Sequence, residues 1–244
     1  MKECSKSIQR RMADPGFMGR YFRGEAIDIG GGPDPLSLYV ELFPLLESVR
    51  VWDREDGDAE LMAGVADERF DLVHSSHCLE HLRDPRKGVQ HWFRILKPGG
   101  HLVVTVPDED LYEQGRFPST FNRDHQWTFT IFKARSWSDR SINLLDLVQE
   151  LGPRADVQRI QLLDAGYRYT LPRYDQTLTP VAESGIELVV RKRSSEEAEE
   201  GGRIRRPGAT DRSLRVHLNQ YRDDLETLKR SNTERPPFTN DEEL

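Results

Sequence analysis

Short apolar runs broken by glycine, proline and acidic turns mark the first half of the chain, whereas polar stretches with isolated aromatic residues mark much of the second. Ala26-Ile27-Asp28-Ile29 runs into Gly30-Gly31-Gly32 and reads as a buried strand ending at a tight turn. Val49 to Asp53 is a second short strand, Phe70-Asp71-Leu72-Val73-His74-Ser75-Ser76 a third, and His101-Leu102-Val103-Val104-Thr105-Val106-Pro107 a fourth. Helices are expected between them. Ser5 to Met12 leads, residues 36 to 46 supply a crossover helix despite Pro44, His77 to Leu82 is helical, and residues 85 to 96 form a helix stopped by Lys97-Pro98-Gly99-Gly100. A helix near Ser141 to Leu151 and strands at Val157 to Leu163 and Ile186 to Val190 follow. Alternation of this kind predicts an α/β fold, a mostly parallel sheet with helices on both faces.

Composition narrows the class. At 244 residues, 36% hydrophobic and 32% charged, the chain can build one domain with a sizeable core and has polar sequence to spare. A net charge of −7 and a pI near 5.6 argue against a nucleic-acid backbone as the main partner, since that affinity comes largely from Lys and Arg. Only Cys4 and Cys78 are present, and no apolar run approaches the length of a membrane span. A reduced, cytoplasmic setting is expected.

The glycine turn is the first candidate for chemistry. Glycine tolerates positive φ and has no Cβ, so the backbone after the strand can pack beneath a ribose or phosphate. A dinucleotide fingerprint would need a further glycine where Pro35 stands, which weakens a nicotinamide reading. Asp28, before the first glycine, suits instead a ligand with an ammonium group. Asp53, at the end of the next strand about 20 residues on, can accept both hydroxyls of a ribose.

Taken in order, Asp-x-Gly-x-Gly at Asp28 to Gly32, the strand-end Asp53, Phe70-Asp71-Leu72-Val73, Leu79-Glu80-His81-Leu82 and Leu96-Lys97-Pro98-Gly99-Gly100 resemble the motifs of a class I S-adenosylmethionine-dependent methyltransferase. The resemblance covers residues 20 to 110 by motif and 111 to 192 by architecture. It implies a Rossmann-like seven-stranded, mostly parallel sheet, S-adenosylmethionine as cofactor, and a cofactor site at Asp28, Gly30, Gly31, Gly32 and Asp53. Ser75 and Ser76 are expected on the same side. Asp56-Gly57-Asp58-Ala59 stands where the family's adenine loop lies, which gives Asp58 and Ala59 that task. The connection from Asp53 to Phe70 is short for the family and leaves little room for another helix and strand.

Methyl transfer from a sulfonium needs near-attack geometry and, for a hydroxyl acceptor, a base. His125, beside Asp124 in Phe121-Asn122-Arg123-Asp124-His125-Gln126-Trp127, is the favoured base, with His77 second. A loop histidine more often makes an ordinary hydrogen bond, and that reading stays open. His77 and His81 stand four apart with Glu80 between them, but the order is not the His-Glu-x-x-His of zinc proteases, and no metal is expected. Arg20-Tyr21-Phe22 could close over the cofactor. The aromatic stretch from Leu111 to Trp137 is either a local core or a lid over a sugar or planar acceptor. No Asp-Pro-Pro-Tyr or Asn-Pro-Pro-Tyr motif and no Pro-Cys nucleophile is present, which disfavours exocyclic-nitrogen, amide and cytosine-carbon acceptors.

The expected function is methyl transfer to a small-molecule or saccharide acceptor, at oxygen. A non-catalytic cofactor-binding scaffold and an RNA or protein methyltransferase are the alternatives. Residues 1–193 form the expected domain, 194–211 a charged linker, and 212–244 an amphipathic helix followed by a disordered end. Leu214, Leu218, Tyr221, Leu225 and Leu228 make the stripe of that helix. Two roles stay open for residues 212–230: docking on the parent domain or a second copy as a homodimer, and recruitment of a partner enzyme.

Overall fold

Alternation along the first strand decides the layering, because Ala26 points to one face of the sheet and Ile27 and Ile29 to the other, all three fully buried. The structure, a computed structural model, describes residues 3–202. Its strands are β1 (Gly24–Ile29), β2 (Leu46–Trp52), β3 (Phe70–Ser76), β4 (Leu96–Pro107), β5 (Thr128–Thr130), β6 (Ser141–Asn143), β7 (Ala155–Leu163) and β8 (Gly185–Lys192). The helices are α1 (Glu3–Met12), α2 (Pro15–Tyr21), α3 (Pro85–Arg94), α4 (Leu144–Gln149) and α5 (Ser195–Glu199). Six strands join in the order β2-β1-β3-β4-β8-β7; the first four run parallel, and β8 pairs antiparallel with both β4 and β7. β5 and β6 form a separate two-stranded ribbon.

The main sheet therefore has six strands where seven were expected. The residues between Asp53 and Arg69 are too few for another crossover unit, so they fold as turns beyond β2, pinned by the fully buried Met62. Residues 36 to 46 do not form an α-helix either: Leu36–Leu42 is a distorted 3₁₀ segment with Tyr39 off helical geometry.

Two apolar layers enclose the sheet. On one face Ile27, Ile29, Leu102, Val104, Leu188 and Val190 pack under α3 and α4, anchored by the fully buried Trp92. On the other, Ala26, Leu72, Val103 and Val189 meet α1, α2, Phe22 and Phe43. Tyr21 and Phe22 belong to this second core, with Phe22 stacked 4.6 Å from Phe43, so the Arg20-Tyr21-Phe22 segment lies under the sheet and does not close over a cofactor. Helix α3 starts where the sequence demands, with Asp84 accepting from the Arg86 and Lys87 N–H groups and Pro85 in the first turn.

Helix α1 turns Cys4, Ser7, Ile8 and Arg11 inward at helical spacing. Arg11 is 1% exposed and ends among polar partners from two strands. Its Nη2 donates to Glu187 Oε2 on β8 (3.0 Å) and its Nη1 meets His74 Nε2 on β3 (3.2 Å). Guanidinium only donates, so His74 Nε2 must accept, which leaves the ring proton on Nδ1, 2.6 Å from Asp28 Oδ1.

Beyond β8, the start of the glutamate-rich stretch folds. Ser194 and Glu197 form a capping box on α5, and Glu197 pairs with Arg191 at 3.0 Å. No helix of the described residues is long and apolar enough to cross a membrane. The heptad stripe from Leu214 to Leu228 lies outside the described residues.

Candidate active site

The carboxyl ends of β1, β2 and β3 converge on the glycine turn, the position at which open parallel sheets build ligand sites. Gly30 has φ +73°, and a Cβ there would stand 2.5 Å from the Cβ of Cys78, so only glycine fits. Its N–H donates to the Trp52 carbonyl (2.8 Å), which ties the turn to the end of β2. Asp28 closes the turn from below. Its Oδ2 accepts from Leu36 N–H (2.7 Å) and its Oδ1 from His74, and Gly31 lies so close that a Cβ would be 2.8 Å from Oδ2.

An open cleft of about 780 Å³, within the size range of small-molecule sites, runs past Gly30, Gly32, Asp53, Asp58 and Ala59. One Asp53 oxygen accepts from Arg54 N–H (2.7 Å), and the other faces Gly32. Asp58 is exposed, and its carboxylate accepts from Glu60 N–H (2.8 Å). These residues fit an adenosyl group: a floor without side chains beside a carboxylate with an uncommitted oxygen. Ser76 lines the adjoining cavity, whereas Ser75 is buried within the sheet and donates to the Ile29 carbonyl (2.9 Å). Cys78 packs on the core under Gly30, its thiol pushed up to about 12 by burial and so not nucleophilic.

A smaller cavity of about 180 Å³ opens off the cleft and shares Gly30, Pro33, His77, His81 and Asn122 with it. Four imidazoles, of His74, His77, His81 and His125, and four acids, Glu3, Asp28, Asp34 and Glu80, line its wall. His77 follows β3 with φ +54°, a conformation that prevents a helix from starting there; Leu79–His81 is a single 3₁₀ turn. His77 and His81 consequently do not share an α-helical face. Glu80 is fully buried, and neither of its carboxylate oxygens has a hydrogen-bond partner among the described residues. His77 Nδ1 approaches its Oε1 to 3.4 Å without hydrogen-bond alignment. Burial alone would raise the Glu80 pKa, but His77, His81 and His125 outweigh it and hold the carboxyl below its ordinary value. Burial would lower His77, and Glu80 reverses that, so the imidazole sits above its ordinary value.

His125 enters from the loop after β4. Its Nδ1 lies 2.8 Å from Glu113 Oε1, and its Nε2 faces the cavity, 3.9 Å from Glu80 Oε1 and without a hydrogen-bond partner. Glu113, not the neighbouring Asp124, orients the ring. Asp124 lines the outer cleft, and its carbonyl meets His81 Nδ1 at 3.1 Å. Tyr112 packs against His125 at 5.1 Å between ring centres, and His81 meets it edge-on at 5.0 Å. The sequence pointed to His125 and His77, weighed Glu80 only as part of a metal face with His77 and His81 that it did not expect, and missed Glu113. Glu113 precedes His125 by a dozen residues in an irregular stretch with no periodicity to suggest the pairing.

The aromatic stretch divides. Phe129 is fully buried and Trp127 packs on the core, donating to the Leu82 carbonyl (3.1 Å); Phe132 and Trp137 are exposed. Local core accounts for the first pair, while Asn122 and His125 are the members of this stretch that line the cavity.

A family model described as a methyltransferase domain matches residues 8–141, more than half of the chain. Over 80 residues the chain is 38% identical to the ubiquinone biosynthesis O-methyltransferase of Stutzerimonas stutzeri, covering 33% of each protein. It is 36% identical over 47 residues to a ubiquinone/menaquinone biosynthesis C-methyltransferase of Vibrio vulnificus, 19% of this chain and 18% of that one. The match thus spans a third or less of these relatives. A crystal structure of an S-adenosylmethionine-dependent methyltransferase from Archaeoglobus fulgidus superimposes with a TM-score of 0.52 at 15% identity, over 79% of this chain and 95% of that one, a likeness of fold.

Proposed function

The chain belongs to the S-adenosylmethionine-dependent methyltransferase family, and we propose that it methylates a hydroxyl oxygen of a small-molecule or saccharide acceptor held in the histidine-lined cavity. One observation carries this reading: the buried pair Glu113–His125 presents Nε2 to a cavity that opens into the glycine-turn cleft. Bound S-adenosylmethionine supplies an electrophilic methyl group whose carbon–sulfur bonding pair stays on sulfur when the acceptor oxygen attacks. Asp53 would hold the ribose hydroxyls, the bare backbone at Gly30 and Gly32 would lie against the adenosyl group, and Asp58 and Ala59 would flank its base. His125 would draw the acceptor hydroxyl to the reacting position through Nε2, with Glu113 fixing the ring. A hydroxyl, unlike a thiolate or a neutral amine, needs its proton drawn away as it attacks, and a histidine braced by a carboxylate suits that task. The polar wall of Asn122, His77 and His81 suits an acceptor rich in hydroxyl groups.

Cofactor choice is tested first by calorimetry. S-adenosylmethionine and S-adenosylhomocysteine should bind and NAD should not, and Asp53→Ala should weaken S-adenosylhomocysteine by about 1.5 to 3 kcal/mol as its charge-assisted bonds to ribose are lost. Tight NAD binding, or unchanged affinity in the variant, contradicts the assignment. The acceptor is tested by methyl transfer from labelled S-adenosylmethionine to sugars, nucleotide sugars and phenols, with the methylated atom located by NMR; transfer to nitrogen alone overturns the oxygen reading.

A further expectation concerns the boundary of the catalytic unit. The six-stranded sheet is complete at Lys192, and α5 docks back through Glu197 on Arg191. Truncation after Gly202 should therefore leave a folded domain with unchanged S-adenosylhomocysteine affinity, measured by circular dichroism and calorimetry. Loss of binding would mean that the remaining residues help to close the site.

A further inference from the structure

We propose that Glu80, His81 and His125 bind a divalent transition-metal ion, through Glu80 Oε1 and the two imidazole Nε2 atoms. One ligand atom from each of the three residues lies within 4.8 Å of the others, and each Nε2 is 3.9 Å from the same Glu80 oxygen. Ligands held about 2.0 to 2.2 Å from one ion stand roughly 3 to 3.5 Å apart, so closure brings each Nε2 about 0.4 to 0.9 Å nearer Glu80 and the two imidazoles up to about 1.8 Å nearer each other, a movement that side-chain rotation can supply.

Three further features point to an ion. Both histidines are fixed through Nδ1, His125 on the Glu113 carboxylate (2.8 Å) and His81 on the Asp124 carbonyl (3.1 Å). Each ring therefore carries its proton away from the cluster and turns the Nε2 lone pair toward Glu80, which is how metal-binding histidines are oriented by their outer partners. Glu80 is 0% exposed with both oxygens lacking a hydrogen bond, and His125 Nε2 lacks one too. Such groups are costly to bury unless something coordinates them. Finally, the cluster lines the cavity next to the cleft, so three protein ligands leave coordination positions facing an incoming molecule. Two nitrogens and one carboxylate oxygen favour Zn²⁺, Co²⁺, Fe²⁺ or Mn²⁺ over Mg²⁺ or Ca²⁺. A helix-face pairing of His77 with His81 is not what forms here; His125, from a distant loop, takes the place of His77.

This inference rests on the acceptor site proposed above and specifies its means. Glu80, His81 and His125 would hold the ion, which would supply a Lewis acid beside the acceptor hydroxyl in the same cavity; His125 Nε2 would then act as a ligand in place of the base, and the hydroxyl proton would leave to water in the open cleft.

The test uses the tag-free full-length chain, freed of metal by chelation and titrated with Co²⁺, followed by visible absorption and calorimetry. One Co²⁺ per chain should bind, with Mg²⁺ failing to compete. His81→Ala, at a partly exposed position, should weaken binding by about 10- to 100-fold or more. Glu80→Gln should weaken it similarly, and Co²⁺ should raise the melting temperature of the wild type but not of either variant. Absence of stoichiometric Co²⁺ binding, or equal binding in both variants, overturns the ion. The two proposals fail separately: no Co²⁺ binding together with loss of turnover in His125→Ala removes the ion and keeps the acceptor site. Co²⁺ binding together with full turnover in His125→Ala does the reverse.

Discussion

Methyl transfer by His125→Ala should fall by about 10² or more, with S-adenosylmethionine affinity changed by no more than about twofold. The asymmetry follows from where the side chain lies. His125 Nε2 faces the smaller cavity, while the glycine turn and Asp53 sit across the shared opening. Removing the imidazole deletes the group that meets the acceptor and leaves Gly30, Gly32 and Asp53 in place. Glu113→Gln should cost less, about tenfold, because the ring stays but loses the carboxylate that fixes Nδ1. Single-turnover rates and calorimetry on the same preparations separate the two effects. If the rate in His125→Ala equals that of the wild type, the task passes to His77 or to proximity alone. A parallel loss of cofactor affinity would instead show that His125 supports the cofactor cleft.

What the sequence made legible here was what is local. Phe70–Ser76 is a strand with the limits its apolar run predicts, and the glycine turn follows β1 because Gly30 has to sit over Cys78. Asp53 could be placed at the end of β2 because strand polarity and the turn together fix which end carries ligands. The missing seventh strand was partly visible as well, in the short connection after Asp53. Contacts made across the fold were not legible. Arg11 reads as an ordinary basic residue on an amphipathic helix, yet it is buried against Glu187, far along the chain. Glu113 and His125 are joined by a loop whose aromatic spacing carries no period. The turn at His77 shows the same limit in small: Leu79-Glu80-His81-Leu82 looks helical until a positive φ one turn earlier breaks it, and that break aims His81 and Glu80 at His125.

One strained residue and several unsatisfied polar atoms lie at the candidate site. His77 is one of four non-glycine residues with positive φ among the described residues, and the Glu80, Glu113 and His125 side chains around it each leave a buried atom without a hydrogen bond. Strain of about 1 to 3 kcal/mol at such a position persists only where the surroundings enforce it. Hydrogen bonds supply that enforcement: His77 N–H donates to the Thr105 carbonyl (2.9 Å), Gln126 N–H to the Glu80 carbonyl (2.9 Å) and Gln126 Nε2 to the His81 carbonyl (2.8 Å).

The buried charge network under α1 leads to the largest expected stability effect, in Glu187→Gln. Glu187 is fully buried and accepts from both Arg10 (2.8 Å) and Arg11 (3.0 Å), and Arg11 is 1% exposed. Neutralising Glu187 leaves the Arg11 guanidinium buried without its counter-charge, a change that typically costs about 3 to 5 kcal/mol. For a domain of this size that corresponds to a fall of roughly 6 to 20 °C in melting temperature. Burial pushes the Glu187 pKa up, but Arg11 and Arg10 more than offset it, so the carboxyl sits below its ordinary value of 4.5. A depressed carboxylate contributes its stability in full above that ordinary value and loses it as the pH falls through the lower folded value. The gap between wild type and Glu187→Gln should therefore be constant from neutral pH down to about 4.5 and shrink below it. Because Arg11 also donates toward His74, which holds Asp28 under the glycine turn, the variant should lose some S-adenosylhomocysteine affinity even where it remains folded. The double variant Arg11→Met, Glu187→Leu removes both charges and should regain part of the stability without regaining that affinity. Thermal melts across pH with calorimetry at 25 °C read both quantities; a Glu187→Gln protein as stable as the wild type at neutral pH would show that the network contributes nothing to the fold.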